Sequence, residues 1–400
     1  MKILIADSLS STVKTYLNQP PFELMEAPTL KGDSLLEAMR SFQPEVLVVR
    51  STKVTADHIL GCNTLALIIR AGAGVNNIEM KTASKQGVFV ANCPGRNAIA
   101  VAELAMGHLI NLDRRISDNV ADFRAGVWGK KKYSSARGLY DQTLAIFGLG
   151  AVGRELMLRA QAFGIKVRVW SVPFTQEEAE SLGVTFAASP QEAAQGADIL
   201  SVHLPLLAET KGLVNAEMLS LLNDSAYIIN TSRGELIDED ALLQAIETKG
   251  IRAGLDVFCD EPAASDTAVS SPLCTSPSVY VSHHIGASTD QSTESVGRAV
   301  ISIIRGWCER GVVQNCVNLA RSSPATHCLS IRHADQVGVL ASVLDLLKSE
   351  GYNIQEMENI IFQGGNAACA RIQIEGAPSD SLIEKIDALS NVYAASLTHI

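Results

Sequence analysis

The sequence predicts an α/β protein in which parallel sheets are layered between helices, followed by a smaller βαββαβ domain. Three observations carry that prediction. Short β-rich runs alternate with helical patterns through residues 1–92 and beyond residue 143, as strands joined by helical crossovers do. An apolar run, Leu144 to Phe147, stops at glycines spaced as Gly148, Gly150 and Gly153, and a helical pattern follows. From residue 327 the order changes to strand, helix, two strands, helix and strand.

The first layer contains the β-rich runs KILIA, VLVVR ending at Arg50, LALIIR ending at Arg70, and VFVAN. Ligands of parallel sheets bind at the carboxyl ends of strands, so Arg50 and Arg70 are candidates for gripping an anion, with a solvated surface arginine as the alternative reading of each. After Arg70 comes AGAGVNN, where Gly74 and Val75 offer backbone N–H groups to a carboxylate. Pro94 and Gly95 then break the chain, and Asn97 is placed as the cap of an alanine-rich helix running to about Arg115. The segment 126–137, GVWGKKKYSSAR, has no apolar periodicity and is expected to be an exposed loop, its Trp128 a candidate contact with another chain.

The stretch TLAIFGLGAVGRELMLRAQAFGIKVRVWS, residues 143–171, reads as strand, glycine turn, helix and strand. In that context the first glycine permits a tight turn, the second lets backbone approach a pyrophosphate, and the third lets helix and strand pack closely. The phosphates would sit over the first helical N–H groups, at Gly148, Gly150, Ala151, Val152 and Gly153. Taken alone, the glycine spacing matches many ordinary turns; the surrounding pattern makes it a dinucleotide site. An acid usually follows by about 20 residues to hold the ribose hydroxyls, and Ser171 stands there instead. Serine does not repel a 2′-phosphate as a carboxylate would. The expected cofactor is NAD, with NADP left open.

Four further apolar runs, ADILSVHLPL, SAYIINTSRG, IRAGLDVF and VYVSHHIG, each end in polar residues. This brings Pro205, Thr231, Ser232, Arg233, Asp256 and His284 toward one sheet edge. Residues 287–319 form a helical pattern that can return to the first layer, and RSSPAT, ending at Thr326, is a linker. In the last domain a helix is expected with Val337, Leu340, Val343, Leu344 and Leu347 on one face and Gly351 as its stop.

Arg233, Glu261 and His284 form the candidate chemical set. A histidine titrates near neutrality and can exchange a proton with a hydroxyl, and a neighbouring carboxylate raises its pKa. An arginine fork binds a carboxylate and stabilises charge on a carbonyl oxygen. His283 and His284 are adjacent, so only one is expected to face the site, and no metal site is assigned. Histidines 58, 108, 203 and 399 are read as ordinary core or surface residues.

Composition bounds the reading. Four hundred residues are too many for one core. With 47% hydrophobic and 19% charged residues the chain is ordinary for a globular protein, and no apolar run reaches the 18 or so residues that span a bilayer. MKILIADS lacks the long apolar segment of a signal peptide, which makes the cytoplasm the expected compartment. A net charge of −10 argues against nucleic acid as a partner. The eight cysteines form no CxxC pair and are read mostly as small buried apolar residues.

Gly148 to Gly153, Asn230 to Gly234, Glu261 with Pro262, and His284 followed by IGAST, together with RAGAGVNN and NCPGRNAIAVAEL, resemble the D-isomer-specific 2-hydroxyacid dehydrogenases over essentially the whole chain. That resemblance implies two Rossmann-like doubly wound parallel-sheet domains, the first discontinuous. It places a substrate-binding domain at 1–98 and 285–319, a dinucleotide-binding domain at 99–284, a linker at 320–326 and an ACT-like regulatory domain at 327–400. It implies catalytic roles for Arg233, Glu261 and His284, nicotinamide contact for Asp256, and substrate-phosphate contact for Arg50. It further implies dimerisation through the nucleotide domain, with the Trp128 loop carrying Lys130 toward a partner's site.

The activity expected is hydride transfer from 3-phosphoglycerate to the nicotinamide, giving 3-phosphohydroxypyruvate, in a homodimer or homotetramer. The alternatives are a reductase of another 2-hydroxy acid, such as glyoxylate or hydroxypyruvate, and a dinucleotide-sensing corepressor. In the last domain His333, Asp335, Val337 and Gly338 depart from the family's serine-binding pattern, since Asp335 opposes a bound carboxylate. That leaves an amino-acid effector, or subunit assembly alone, as the expected role there.

Overall fold

A computed structural model describes residues 1–262 and 271–400, and the chain divides into two units, Met1–Asn318 and Leu319–Ile400. The first unit holds two parallel sheets. β1 (Lys2–Ile5), β2 (Glu23–Glu26), β3 (Val46–Val49), β4 (Leu67–Arg70) and β5 (Phe89–Asn92) lie in the order β2-β1-β3-β4-β5. The interior strand β3 is Val-Leu-Val-Val, buried at every position, because helices cover both faces of the sheet. One face is closed by the helix Asp290–Arg310, whose Val296, Val300, Ile303 and Ile304 pack with Ile3, Val48 and Ile69. The sheet therefore has five strands where the apolar runs indicate four. The additional strand, β2, is an edge element as long as its neighbours, but its sequence is Glu-Leu-Met-Glu with only the middle pair half buried, so it is too polar to stand out.

The second sheet comprises β6 (Thr143–Phe147), β7 (Lys166–Trp170), β8 (Thr185–Phe186), β9 (Ile199–Val202), β10 (Tyr227–Asn230), β11 (Arg252–Leu255) and β12 (Val279–Val281). Their order is β12-β11-β10-β9-β6-β7-β8, again all parallel. Apolar clusters fill both faces, as a doubly wound, Rossmann-like sheet requires. In each sheet the winding reverses once, between β1 and β3 and between β6 and β9. The carboxyl ends of the strands open a crevice at such points.

The helix Ala98–Arg114 follows β5 and buries Ala102, Ala105, Leu109 and Leu112 against the second sheet. Asn97 stands at its N-cap, but its side chain makes no capping hydrogen bond, so its placement as a cap is corrected to position alone. The segment 126–137 is largely exposed, with a short 3₁₀ turn at Lys130–Tyr133.

The second unit is a four-stranded antiparallel sheet of β13 (His327–Ala334), β14 (Ile354–Ile361), β15 (Ala367–Ile374) and β16 (Val392–His399), ordered β14-β15-β13-β16. The helices Val339–Ser349 and Asp380–Asp387 bury Val343, Leu347, Leu382 and Ile386 with Leu329, Ile331 and Ile372. Val337 does not join that face: it precedes the helix and is fully exposed, because the helix starts only after Gly338 at φ +90°. The cysteine expectation also needs correction, since only Cys62, Cys93 and Cys328 are buried. Among the described residues no helix is long and apolar enough to cross a membrane.

Candidate active site

The glycine turn shows why its three glycines stand where they do. Gly148 has φ +95° and lies so close to β9 that a Cβ would stand 2.6 Å from the His203 carbonyl oxygen. At Gly153 a Cβ would meet the Gly148 carbonyl oxygen at 2.1 Å, so the helix Ala151–Ala162 can approach β6 only without a side chain there. Gly150 faces open space at the start of that helix, whose first N–H groups have no intrahelical acceptor. Ser171 has a structural part in the turn: its Oγ accepts a hydrogen bond from the Leu149 N–H at 3.0 Å.

Beside the turn a crevice of about 360 Å³ brings together Gly74, Val152, Pro205, Thr231, Ser232 and Arg233. Val75 turns its side chain to the core of the first layer. Two buried polar atoms among the crevice residues, His203 Nδ1 and Thr231 Oγ1, have no hydrogen-bond partner. Native structures seldom leave such groups unpaired. With the glycine cradle, they make the crevice chemically suited to a polar, phosphate-bearing ligand. His203 is a site residue that the sequence reading passed over; its place at the end of β9, two residues before Pro205, was the available signal.

At the crevice edge Asn230 orients the turn that carries Arg233, its Nδ2 donating to the Arg233 carbonyl at 2.8 Å while its Oδ1 accepts from Ser232 N–H at 3.0 Å. Arg233 Nη1 donates to the Ser232 carbonyl at 2.6 Å. A Cβ on Gly74 would lie 2.8 Å from Arg233 Nη2, so glycine there admits the guanidinium. Gly234 does the same for backbone, since a Cβ would lie 2.0 Å from the Phe258 carbonyl carbon.

His284 Nδ1 and Glu261 Oε2 are 2.7 Å apart. That hydrogen bond raises the His284 pKa above its ordinary value, against burial and the charge of Arg233, which lower it. Burial pushes the Glu261 carboxyl up, but the bond to His284 and that histidine's charge outweigh it, and the carboxyl stays below its ordinary range. Both residues therefore feel Arg233, and the three form one electrostatic group. The expectation that His283 and His284 alternate along extended backbone does not hold at His284, which has φ +52°.

Asp256 lies 1% exposed behind this group. Its Oδ1 accepts from Ser282 Oγ at 2.6 Å and Ile285 N–H at 2.9 Å, and its Oδ2 from Gly286 N–H at 2.8 Å.

A second, smaller pocket of about 60 Å³ holds Arg50, Arg70, Asn97, Ser292 and Thr293. Arg70 is folded back over Gly72, where a Cβ would collide with its Nη1, and its buried Nε has no partner. Burial lowers the Arg70 pKa, and the charges of Arg233 and Arg50 lower it further; a guanidinium nonetheless stays protonated. The nearby carboxylate, Asp7, is taken up by backbone: it accepts from the N–H groups of Arg50, Ser51 and Thr52 at 2.6, 3.1 and 3.0 Å. Arg70, with the charges of Arg50 and Arg233 both acting on it, makes a place that attracts a small dianion. Lys130 is not brought to either pocket of its own chain; it lines a separate surface groove with Phe123, Val127 and Trp128. No group of three or more metal-ligating side chains occurs among the described residues.

Fold, glycine cradle and crevice define a doubly wound α/β protein that binds a dinucleotide. Residues 106–286 match the family described as D-isomer specific 2-hydroxyacid dehydrogenase, NAD binding domain. The chain is 36% identical over 321 residues to D-3-phosphoglycerate dehydrogenase of Methanocaldococcus jannaschii, a match covering 80% of this chain and 60% of the relative. To the enzyme of that name from Bacillus subtilis it is 34% identical, covering 80% of this chain and 59% of the relative. The match thus spans about 60% of the length of these relatives. Among solved structures it is similar to NAD+-bound 3-phosphoglycerate dehydrogenase of Entamoeba histolytica, with TM-score 0.66 and 26% identity over 80% of this chain and 99% of that one. A likeness of TM-score 0.69 and 26% identity, covering 79% and 97%, links it to the NADPH-dependent glyoxylate/hydroxypyruvate reductase of Sinorhizobium meliloti. The chain belongs to the D-isomer-specific 2-hydroxyacid dehydrogenases.

Proposed function

We propose that the protein oxidises 3-phosphoglycerate to 3-phosphohydroxypyruvate with NAD, the first step of serine biosynthesis. The observation that carries this reading is the juxtaposition of the Arg233, Glu261 and His284 group with a pocket holding two further arginines. An unphosphorylated 2-hydroxy acid has no use for that pocket. The relatives named D-3-phosphoglycerate dehydrogenase support the same substrate.

NAD bound at the glycine turn supplies the hydride acceptor. Arg233 grips the substrate carboxylate through its fork and stabilises charge that develops on the carbonyl oxygen. His284 takes the hydroxyl proton as hydride leaves the same carbon, and Glu261 stabilises the imidazolium so formed. Arg50 and Arg70 hold the phosphate, with Gly74 and Val75 offering backbone to the carboxylate. His203 Nδ1 and Thr231 Oγ1 gain partners when the crevice fills, alongside Pro205 and Ser232. Asp256 would act at the nicotinamide end, as the family resemblance implies, through the loop it braces.

The exposed Phe123, Val127 and Trp128 support a homodimer or homotetramer in which Lys130 serves a neighbour's site. The βαββαβ order of the second unit supports an ACT-like domain that binds an amino-acid effector or assembles subunits.

Phosphohydroxypyruvate reduction by purified protein, with NADH and NADPH side by side, tests the proposal. Fast turnover with NADH supports it. Good reduction of glyoxylate or hydroxypyruvate with none of phosphohydroxypyruvate overturns the substrate, and no hydride transfer to any 2-oxo acid overturns the activity.

A further inference from the structure

His108 sits on the helix Ala98–Arg114, far in sequence from the proposed catalytic residues, and is 6% exposed. Its ring lies over Gly254 of β11, where a Cβ would come within 2.8 Å of the His108 Cβ. His108 Nε2 is 2.9 Å from Ser282 Oγ. Ser282 Oγ in turn donates to Asp256 Oδ1 at 2.6 Å. A hydroxyl has one proton, and here it is committed to the carboxylate. The imidazole must then donate to the hydroxyl, which sets His108 as the neutral tautomer protonated at Nε2. Burial lowers the His108 pKa, opposed by the charge of Asp256, so the neutral form is the one held.

Asp256 holds three successive N–H groups. Its carbonyl accepts from His284 N–H at 2.8 Å, and its carboxylate accepts from Ile285 and Gly286. Those bonds pin His284 at φ +52°, a backbone conformation that L side chains rarely adopt and that persists only where the surroundings over-determine it. From this we infer that His108, acting through the Ser282 hydroxyl and the Asp256 carboxylate, is a positioning residue that fixes the His284 imidazole against Glu261. The inference builds on the proton-transfer role proposed for His284, but it makes a claim about geometry that can be read without turnover.

The test uses the full chain and three variants. His108→Leu keeps an apolar group of similar reach and removes the donor. His108→Gln returns an amide N–H close to the position of Nε2. Ser282→Ala removes the intermediate hydroxyl. The charged groups that act on His284 are Glu261, Arg233 and Asp256, and none is altered.

In a His284 ring titration by NMR, assigned with a His284→Asn control, His108→Leu should bring the His284 pKa down toward its ordinary value. His108→Gln should leave it where the unmodified protein has it. In turnover, His108→Leu should lower kcat about fivefold, the effect of one neutral hydrogen bond, and Ser282→Ala by roughly tenfold or more, since it breaks a bond to a charged group. KM for the coenzyme should stay unchanged in both. The double variant should match Ser282→Ala alone, because His108 has nothing to act through once the hydroxyl is gone.

An unmoved His284 titration in His108→Leu overturns the inference, as does additivity of the two changes, or a His108→Gln protein as impaired as His108→Leu. Absence of turnover in the unmodified protein would overturn the proposed activity instead, leaving the titration to decide on His108.

Discussion

The two crevices at the winding reversals of the two parallel sheets have the same topological origin and different chemistry. Between β6 and β9 the strand ends give glycine, His203 and mostly neutral groups around about 360 Å³, with Arg233 as the charged residue of the lining and two buried polar atoms unpartnered. Between β1 and β3 they give Asp7 and Arg50, with Arg70 beside them, around about 60 Å³. A wide, largely neutral cradle suits a long ligand bound through many hydrogen bonds. A tight pocket in which two guanidinium groups outnumber the one nearby carboxylate suits a compact dianion. A doubly wound sheet thus settles where a ligand binds, and the residues at the strand ends settle which ligand it is.

The sharpest way to break the comparison is to remove Arg233, which lines the wide crevice and whose charge reaches Arg70 in the small one, or His284, which feels Arg233. Arg233→Ala or His284→Ala is expected to lower kcat/KM about a thousandfold in steady-state assays, with coenzyme binding retained in a direct titration. A loss of coenzyme binding would mean that the altered residue serves the coenzyme rather than the substrate.

Next in size is the small pocket. Arg70→Leu should lower kcat/KM for phosphohydroxypyruvate by roughly a hundredfold, the cost of removing one partner of a desolvated ion pair. It should leave reduction of unphosphorylated hydroxypyruvate close to its starting value. Equal losses on both substrates would assign Arg70 to the carboxylate or to folding.

Ser171→Asp tests the wide crevice. An aspartate can keep the acceptor that Ser171 offers to Leu149 N–H while adding charge. The preference for NADH over NADPH should rise by about tenfold through repulsion of the 2′-phosphate, read as the ratio of kcat/KM values.

The subtlest effect is in pH. Oxidation needs neutral His284, so its rate should rise as pH climbs through a pKa that Glu261 has raised, while the reductive rate falls over the same range. Glu261→Gln removes the charge and should move both profiles to lower pH. Profiles that stay in place would show that Glu261 does not set the His284 titration.

Much of this was legible in the residues. Long apolar runs revealed the interior strands, and the glycine spacing located the turn, because an unpaired backbone or a missing Cβ constrains residue type directly. Edge strands β2 and β8 escaped notice, β2 because glutamates flank its two apolar residues and β8 because it has only two residues. Val337 fell in phase with a helix that begins only after Gly338, since periodicity carries no information about where the first turn closes. His108 passed as an ordinary histidine because its partner Ser282 lies on another element, and His203 because the crevice that its unpartnered Nδ1 borders forms only when the strands assemble.

By itself the sequence determined the layered α/β architecture, the dinucleotide turn, the change of fold at the last domain and the candidate residues Arg233, Glu261, His284, Arg50 and Arg70. These follow from local rules: burial periodicity and the steric needs of glycine. Only the tertiary structure decided that Arg70 feels Arg233 and Arg50 together, that Ser171 braces the glycine turn, and that His108 reaches Asp256 through Ser282. Such pairings join residues on different elements, and no short-range pattern encodes a contact that chain folding alone creates.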